Sequence, residues 1–233
     1  MKKRRNIIKI AIDSPAAAGA GTVAKTLSTY YNLFYLDTGK IYRYIAYLKI
    51  KYPKKFKTKF LRSKIKSLTV KKLSNKKLLS DEIGTEASII SKIKNIRKIV
   101  YSLQINFAYN PPKKYKGSCL DGRDITYKIV PDADFKFYIT ANVKTRAKRR
   151  FKELKDLKKN ISFLEVLKSI KKRDKNDLNR KISPLKKTKD SLLINTTNLT
   201  KRACFLKIKK IIDKSKKFNG NLSRPVKSSL KRI

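Results

Sequence analysis

Hydrophobic and polar positions change their period repeatedly along the chain, and the changes predict strands that alternate with helices. The apolar run at 7–12 predicts a buried strand, and a helical pattern begins near Thr22 and ends near Asn32. Further strands are expected at 33–37, 117–120, 135–140 and 191–195, and further helices after residue 39 and over 143–157, 163–179 and 199–216. Ligands of an open α/β sheet bind where its strands end.

The segment from 52 to 80 has no clear period, because lysines are scattered among its apolar residues. Residues 67–73 and 77–80 could form two short antiparallel strands, and we interpret the segment as a small inserted subdomain. From 81 to 109 apolar residues recur at helical spacing with one possible break, and Asn110, Pro111 and Pro112 end the helix.

A run of small residues joins the first strand to the first helix, which is the order that a phosphate-binding loop requires. Small side chains let backbone N–H groups turn toward phosphate oxygens, and the helix N-terminus adds partial positive charge. Ala20, however, stands where the usual motif has lysine, and Ser14 stands where it has its first glycine. These residues alone indicate a phosphate site and an ordinary tight turn equally. The candidate phosphate-binding residues are Ser14, Ala17, Ala18, Gly19, Ala20, Gly21 and Thr22.

Charged side chains follow the other predicted strands where a phosphate or a metal ion would bind. Asp121 ends a strand and is placed to hold magnesium or its waters, with Arg123 beside it for a phosphate. Arg43 is either a bidentate phosphate donor or an arginine on a solvated helix face. Two late helices could close their arginines over a triphosphate, although spacing alone favours ordinary solvated faces. These residues are Arg146, Arg149 and Arg150, then Arg173, Asp177 and Arg180.

Composition adds limits to these interpretations. The formal charge of +46, from 62 Lys and Arg against 16 Asp and Glu, is compatible with a nucleic-acid surface. Lysines are nevertheless spread over the whole chain with many Ile and Asn, which favours an A+T-rich coding sequence and only non-specific, salt-sensitive polyanion binding. No run approaches the ~20 apolar residues of a membrane span, so we expect a cytoplasmic protein without membrane contact. Two cysteines and no histidine argue against a disulfide scaffold and a zinc site.

Four separated stretches resemble those of bacterial cytidylate kinases in order and distance. They read IAIDSPAAAGAGTVAKTL, YLDTGKIYRY, LDGRDITYKIVPDADFKFYITANVKTRAKRRFKEL and RDKNDLNRKISPLKKTKDSLLINTT, and with their connections span most of residues 8–197. The resemblance implies an α/β P-loop NTPase fold of three α/β/α layers, with a five-stranded parallel sheet, an inserted NMP-binding region and a helical lid. It also implies a monomer that transfers the γ-phosphoryl group of ATP to CMP or dCMP, with Mg²⁺ as cofactor.

The resemblance assigns roles to residues that match the family's motifs. The residues at acceptor-binding positions are Thr38, Arg43, Arg123, Asp177 and Arg180. The catalytic candidates, which include the lid arginines around the donor phosphates, are Arg123, Arg149, Arg150 and Arg173. Thr22 and, through water, Asp121 are the metal candidates.

The resemblance also implies how the chain is divided. A single kinase domain covers 1–216, with core segments at 6–50, 110–143 and 190–216. The NMP-binding insertion lies at about 51–109 and the lid at about 144–185, and a basic, disordered tail is expected at 217–233.

Several residues depart from the family pattern near the phosphates. Ala20 replaces the lysine of the phosphate loop, and Gly84 stands where relatives commonly carry an arginine. Thr126 and Tyr127 replace Gly-Thr, which brings a larger side chain near the phosphates. Loss of a cation that stabilises the transferring group raises the barrier by several kcal/mol.

Lys40 and Lys128 are the two candidates to replace the missing cation. Three functions stay open, in this order: a working cytidylate kinase, a nucleotide-binding pseudo-kinase, and a nucleic-acid-binding protein on the same scaffold. The preference among CMP, dCMP and UMP is open as well.

Overall fold

A five-stranded sheet forms the centre of the protein, for which the computed structural model describes residues 6–156 and 160–215. The strand order is β2-β3-β1-β4-β5, and every neighbouring pair is parallel. The strands are β1 (Ile8–Asp13), β2 (Leu33–Asp37), β3 (Gly117–Gly122), β4 (Phe135–Thr140) and β5 (Leu192–Asn195). The predicted five-stranded parallel sheet is confirmed.

Helices cover both faces of the sheet, as parallel strands joined by crossovers require. They are α1 (Ala20–Tyr31), α2 (Thr38–Lys51), α3 (Thr58–Lys66), α4 (Val70–Leu73), α5 (Asp81–Ile90), α6 (Lys94–Tyr109), α7 (Val143–Asp156), α8 (Phe163–Asn179) and α9 (Lys201–Asp213). Ile10 and Ile12 of β1 pack in the core on the side of α1 and α9. Ala11 belongs to the core on the side of α2 and α6, because successive side chains of a strand point to opposite faces.

The segment between α2 and α5 is helical, so the predicted antiparallel strands at 67–73 and 77–80 are wrong. It contains α3, α4 and a 3-10 turn at Lys76–Leu79. The side chains of Thr69 and Asn75 each accept a hydrogen bond from a backbone amide of the turn that follows, which starts that turn. Leu73 and Leu78 are then buried in the core beside α2. The helical structure of this segment follows from these caps and buried leucines, and the spacing of apolar residues in the sequence did not indicate it.

Helices α7 and α8 pack on each other over a small apolar cluster of their own. The buried members are Ala147, Leu154, Val166 and Ile170. Helix α8 begins with a capping box, in which Ser162 and Glu165 exchange side-chain hydrogen bonds with each other's backbone. Ala17, from the loop after β1, packs against the same cluster, so the two helices adjoin that loop.

The division into core, insertion and lid stays a prediction. The tail predicted at 217–233 lies outside the described residues, as does the end of the predicted closing helix at residue 216. Within 6–156 and 160–215, no helix is long and apolar enough to cross a membrane. Cys119 and Cys204 are buried thiols, each in the core beside α1 and α9.

Candidate active site

The loop between β1 and α1, residues 13–22, has the backbone shape of an anion site; we call it the phosphate loop. Ala17 and Gly19 adopt left-handed conformations, with φ of 58° and 91°. This region favours glycine, so Ala17 is held there at a cost in conformational energy. Helix α1 begins directly after Gly19, and the first amides of a helix have no partner within it. The phosphate loop thus ends in a helix N-terminus that can receive an anion.

The remaining small residues of the phosphate loop are packed rather than exposed. Ser14, Ala18 and Ala20 are all buried. The Ser14 N–H donates to Gly122 O at 3.1 Å, which ties the start of the loop to the end of β3. Gly21 and Thr22 follow in the first turn of α1 and are more accessible.

Two arginines of α7 hold the phosphate loop by its carbonyl oxygens. Arg146 donates to Ala16 O at 3.1 Å, and Arg149 lies 3.4 Å from Ala18 O. Arg149 also donates to Thr196 Oγ1 at 3.0 Å and to the carbonyl oxygen of the same residue at 2.6 Å. The expectation of a solvated helix face is wrong for Arg146, which is only 6% exposed.

Arg150, the third arginine of this face, contacts its own helix and the segment before α5. Its guanidinium lies 3.3 Å from Glu153 Oε2 and 3.5 Å from the carbonyl oxygen of Leu79. The described structure therefore brings Arg149 to the phosphate loop and leaves Arg150 between α7 and the helical segment before α5.

Three arginines from two parts of the chain, the residues after β3 and helix α8 with its C-cap, gather around the Asp177 carboxylate. Arg123 Nε donates to Asp177 Oδ2 at 2.7 Å, and Arg180 Nη1 lies 3.8 Å from Oδ1. Burial opposes the charge of Asp177, but Arg123 and Arg173 outweigh burial and hold the carboxyl pKa below its ordinary value. Burial likewise opposes the charge of Arg123, and there Asp177 prevails and raises the pKa.

Arg173 differs from its neighbours because its guanidinium makes no hydrogen bond or ion pair with any described residue. Burial and the nearby charge of Arg123 lower the pKa of Arg173 to about 10. A desolvated cation without an acidic partner of its own is poorly stabilised in the free protein. It marks a place that an anion can fill.

A cavity of about 600 Å³ lies between the phosphate loop, α5, α7 and α8. Arg43, Arg150 and Arg173 line it from three different helices. Arg43 Nη1 donates to the carbonyl oxygens of Leu78 and Ser80 at 2.8 and 3.0 Å. Gly84 lies against this guanidinium, because a Cβ at residue 84 would stand 2.8 Å from Arg43 Nη2. A side chain at 84 would therefore displace Arg43.

Two carboxylates lie side by side where β2 and β3 end. Asp37 and Asp121 are register partners, and Asp121 Oδ2 lies 3.5 Å from the position that a Cβ on Gly21 would take. Burial and the charge of Asp37 raise the pKa of Asp121. Asp121 Oδ1 is buried and accepts no hydrogen bond from the described residues. The Thr38 hydroxyl donates to the carbonyl oxygen of Asp121 at 2.8 Å.

These residues fit a hydrated magnesium ion bound mainly by nucleotide phosphates. Asp121 offers an unused acceptor beside the first turn of α1, and Thr22 offers a hydroxyl in that turn. Within the described ranges no three acidic, histidine or cysteine side chains form a group that could hold a metal ion by themselves. Mg²⁺ commonly binds through one or two carboxylates with water and substrate phosphates, which is the kind of donor set present here.

Comparison with known proteins shows which family combines these features. The family model described as cytidylate kinase matches residues 10–214. The chain belongs to the cytidylate kinase family. The cytidylate kinase of Bartonella tribocorum is 42% identical over 197 residues, which cover 84% of this chain and 90% of that protein. A cytidylate kinase of Clostridium botulinum is 38% identical over 218 residues, which cover 89% of this chain and 98% of that protein.

A solved structure shares the fold alone. The crystal structure of an uncharacterized protein from Eubacterium ventriosum has a TM-score of 0.53 and covers 90% of this chain and 100% of its own. The two sequences are only 16% identical, so the likeness supports a common fold and carries no information on the chemistry of this member of the cytidylate kinase family.

The structure contains a buried ion pair that was not predicted from the sequence. It lies next to the arginine cluster, the group of Arg123, Arg173 and Arg180 around Asp177. Arg97 of α6 is paired with Asp124 and also donates to Ser91 O at 3.2 Å. The Arg97 guanidinium lies 5.6 Å from the centroid of the Tyr42 ring, whose pKa burial raises to about 12. The available signal was an arginine next to Ile96 on the buried face of a helix, since buried arginines are nearly always paired.

The two residues that replace Gly-Thr of the family pattern stabilise the surrounding loops. The Thr126 amide and hydroxyl donate to Asp13 at 2.9 and 2.6 Å, and Asp13 also accepts from the Ile125 amide at 2.8 Å. Burial raises the pKa of Asp13 to about 6, although these hydrogen bonds oppose the shift. The Tyr127 hydroxyl donates to Pro184 O at 2.6 Å, so this larger side chain holds the segment after α8.

The two lysines that could replace the missing cation lie in different places. Lys128 is exposed, and its ammonium lies 5.9 Å from the centroid of the Tyr101 ring. Lys40 is half-buried in the first turn of α2, where its N–H donates to Asp37 Oδ1 at 3.2 Å. Only Lys40 of these two lies at the strand ends that adjoin the phosphate loop.

Proposed function

We propose that the protein transfers the γ-phosphoryl group of ATP to CMP or dCMP and so forms ADP and CDP or dCDP. The observation that carries the proposal is a phosphate loop beside a cavity in which Arg173 makes no hydrogen bond or ion pair with any described residue. Membership of the cytidylate kinase family and relatives that bear this name support it.

The acceptor nucleotide would lie between the arginine cluster and the phosphate loop. Arg43, Arg123 and Arg173 would bind its phosphate, because guanidinium groups bind phosphate oxygens in a bidentate manner. Asp177 and Arg180 would contact the sugar and the base of the acceptor nucleotide, next to the Asp121 carbonyl oxygen to which the Thr38 hydroxyl donates.

The base would lie deeper than the phosphate, near the Arg97–Asp124 pair. The charges of Arg97 and Asp124 both act on Arg180, so the pair adjoins the arginine cluster. A paired guanidinium and carboxylate offer hydrogen-bond donors and an acceptor, which is the combination that the edge of a cytosine ring requires. We propose that this pair contributes to the preference for a pyrimidine.

The donor phosphates would bind on the phosphate loop and the N-terminus of α1, with Arg149 and Arg150 on the α7 side. Phosphoryl transfer depends on positioning and charge neutralisation more than on a covalent nucleophile, which suits a site built from arginines and backbone amides. When bound, Mg²⁺ neutralises charge on the donor phosphates, and Thr22 and, through water, Asp121 would hold it. The monomeric state and the cytoplasmic location remain predictions.

One observation favours a second candidate, a nucleotide-binding pseudo-kinase. Ala20 presents a buried methyl group, 3% exposed, where the phosphate motif has a lysine. A chain that retains the acceptor arginines without that cation could bind both nucleotides and fail to transfer the phosphoryl group.

An ADP-release assay with magnesium-ATP and CMP, dCMP or UMP tests the proposal. We expect turnover with CMP and dCMP, and Arg173→Met should lower kcat/KM by at least about 100-fold, as expected for loss of a group that stabilises developing charge. Arg62→Met, in an exposed position on α3, is the matched control and should change little.

Calorimetric titration of the native chain with each nucleotide separates the remaining outcomes. A chain that binds ATP and CMP without turnover is the pseudo-kinase. A chain that binds neither nucleotide contradicts both candidate functions.

A further inference from the structure

The phosphate loop of this chain contains no lysine or arginine of its own. Residues 13–22 carry only small or uncharged side chains after Asp13, and Ala20 is the first residue of α1. In the usual motif a lysine from this position reaches the β- and γ-phosphates. A working site therefore needs a cation supplied by another element.

The arginines that touch the phosphate loop are committed to other partners. Arg146 is ion-paired with Asp174 at 2.7 Å and donates to Ala141 O at 2.8 Å as well as to the loop. Arg149 donates to the loop and to both oxygens of Thr196. These contacts fix the shape of the phosphate loop and use the guanidinium N–H groups to do so.

Lys40 lies near the phosphate loop on another element, at the ends of two neighbouring strands. It follows Asp37 in the first turn of α2, and Asp37 is the register partner of Asp121. Neighbouring strands are about 4.8 Å apart, and Asp121 Oδ2 in turn lies 3.5 Å from the Cβ position of Gly21. The burial-raised pKa of Asp121 is partly lowered by the charge of Lys40, which agrees with this proximity.

Both charged groups at this point keep unused hydrogen-bonding capacity. The Lys40 ammonium makes no hydrogen bond or ion pair with any residue in the described parts of the chain. Asp121 Oδ1 is buried and accepts no hydrogen bond there. The ammonium therefore keeps its donors, and the carboxyl group keeps one acceptor, for a third group; phosphate with its metal ion has the chemistry to bind both.

We propose that the Lys40 ammonium binds the donor β- and γ-phosphates and replaces the lysine that the phosphate loop lacks. The inference rests on the proposed phosphoryl transfer. In that step the bond from the γ-phosphorus to the β–γ bridging oxygen breaks, and a bond from an oxygen of the CMP phosphate to the γ-phosphorus forms. Lys40 neutralises charge on the bridging oxygen as that bond breaks, so it is a catalytic residue of this chain.

The test measures the cost of Lys40→Met in two backgrounds, the native chain and the Ala20→Lys variant. In the native background Lys40→Met should lower kcat by about 100-fold, as loss of a charge-stabilising group does. In the Ala20→Lys background the same change should cost less than about threefold, because the loop then supplies the cation itself. Lys128→Met, which removes an exposed lysine stacked on Tyr101, is the matched control and should not lower kcat.

Each alternative outcome has its own meaning. An equal cost of Lys40→Met in both backgrounds, or no cost in the native one, overturns the role of Lys40 while transfer stands. A native chain that binds ATP and CMP but turns over only after Ala20→Lys overturns the inference and identifies a pseudo-kinase. A chain that binds neither nucleotide overturns the proposed function itself.

A further variant of Lys40 keeps the test decisive if Ala20→Lys does not fold. Lys40→Arg retains the charge and should keep at least ten times the kcat of Lys40→Met, with equal thermal stability in both. Equal kcat values for the two variants would show that the charge at residue 40 has no part in transfer.

Discussion

Removal of the Asp177 charge should destabilise the free protein and make its stability depend on bound anions. Asp177 accepts from Arg123 at 2.7 Å, and the two side chains are 9% and 18% exposed. Arg173 and Arg180 lie near the same carboxylate. In the Asp177→Asn variant the guanidinium groups would face one another with no carboxylate between them, while the side-chain volume stays nearly the same.

The magnitude follows from distance and burial. Two unit charges 2.7 Å apart attract by about 6 kcal/mol at an effective dielectric constant of about 20, before desolvation is subtracted. Measured losses on removal of one partner of a buried pair are about 3–5 kcal/mol. For a protein of this size 1 kcal/mol corresponds to about 2–4 °C, so the melting temperature should fall by about 10 °C.

Thermal unfolding with and without inorganic phosphate is the assay. Phosphate should raise the melting temperature of Asp177→Asn more than that of the native chain, because an anion bound only by the folded state restores the missing negative charge. Asp190→Asn is the matched control, since the Asp190 side chain is 60% exposed in its pair with Lys136 and such a surface pair contributes less than about 1 kcal/mol. The reasoning is refuted if Asp177→Asn melts like Asp190→Asn, or gains no more from phosphate than the native chain.

Two further predictions concern other buried charges. Burial raises the pKa of Asp13 from 3.8 to about 6, so the folded state holds the carboxyl proton more tightly than the unfolded state does. The stabilisation from this bound proton is therefore full below pH 4 and is lost as the pH rises through 6. Urea unfolding should therefore show the native chain losing about 3 kcal/mol relative to Asp13→Asn between pH 4 and pH 7, and a difference independent of pH would contradict this. Arg97→Met should lower the free energy of unfolding by about 3–5 kcal/mol, because it leaves Asp124 buried without its partner. Arg62→Met is the control in the same urea titration, and an equal loss in the two variants would contradict the prediction.

The order of strands and helices and the position of the phosphate loop followed from the sequence. Buried parallel strands read as short apolar runs and amphipathic helices repeat with a period of 3.6, so both leave local patterns. The strands at 33–37 and 135–140 and the helix at 163–179 have the bounds expected from those patterns. The segment at 67–80 has no such pattern, and its capping residues and buried leucines were recognised only in the folded chain.

The chemistry of individual charged residues depended on tertiary structure. Arg146, Arg149 and Arg150 lie on one helix face. Only the folded chain shows that the first two contact carbonyl oxygens of the phosphate loop and that the third contacts Leu79 O before α5. Arg97 and Asp124 are 27 residues apart and form a buried ion pair that no local pattern indicates.

The sequence by itself determined the family, the alternation of strands and helices, and the absence of a lysine from the phosphate loop. Tertiary structure decided which of the two candidate lysines lies nearer that loop. The pairing of β2 with β3 brings Asp37 beside Asp121 and the start of α2, with Lys40, to the same strand ends, while Lys128 lies over Tyr101. The physical reason is that periodicity records which face of an element is buried, whereas the meeting of distant charges is set by strand register and helix packing.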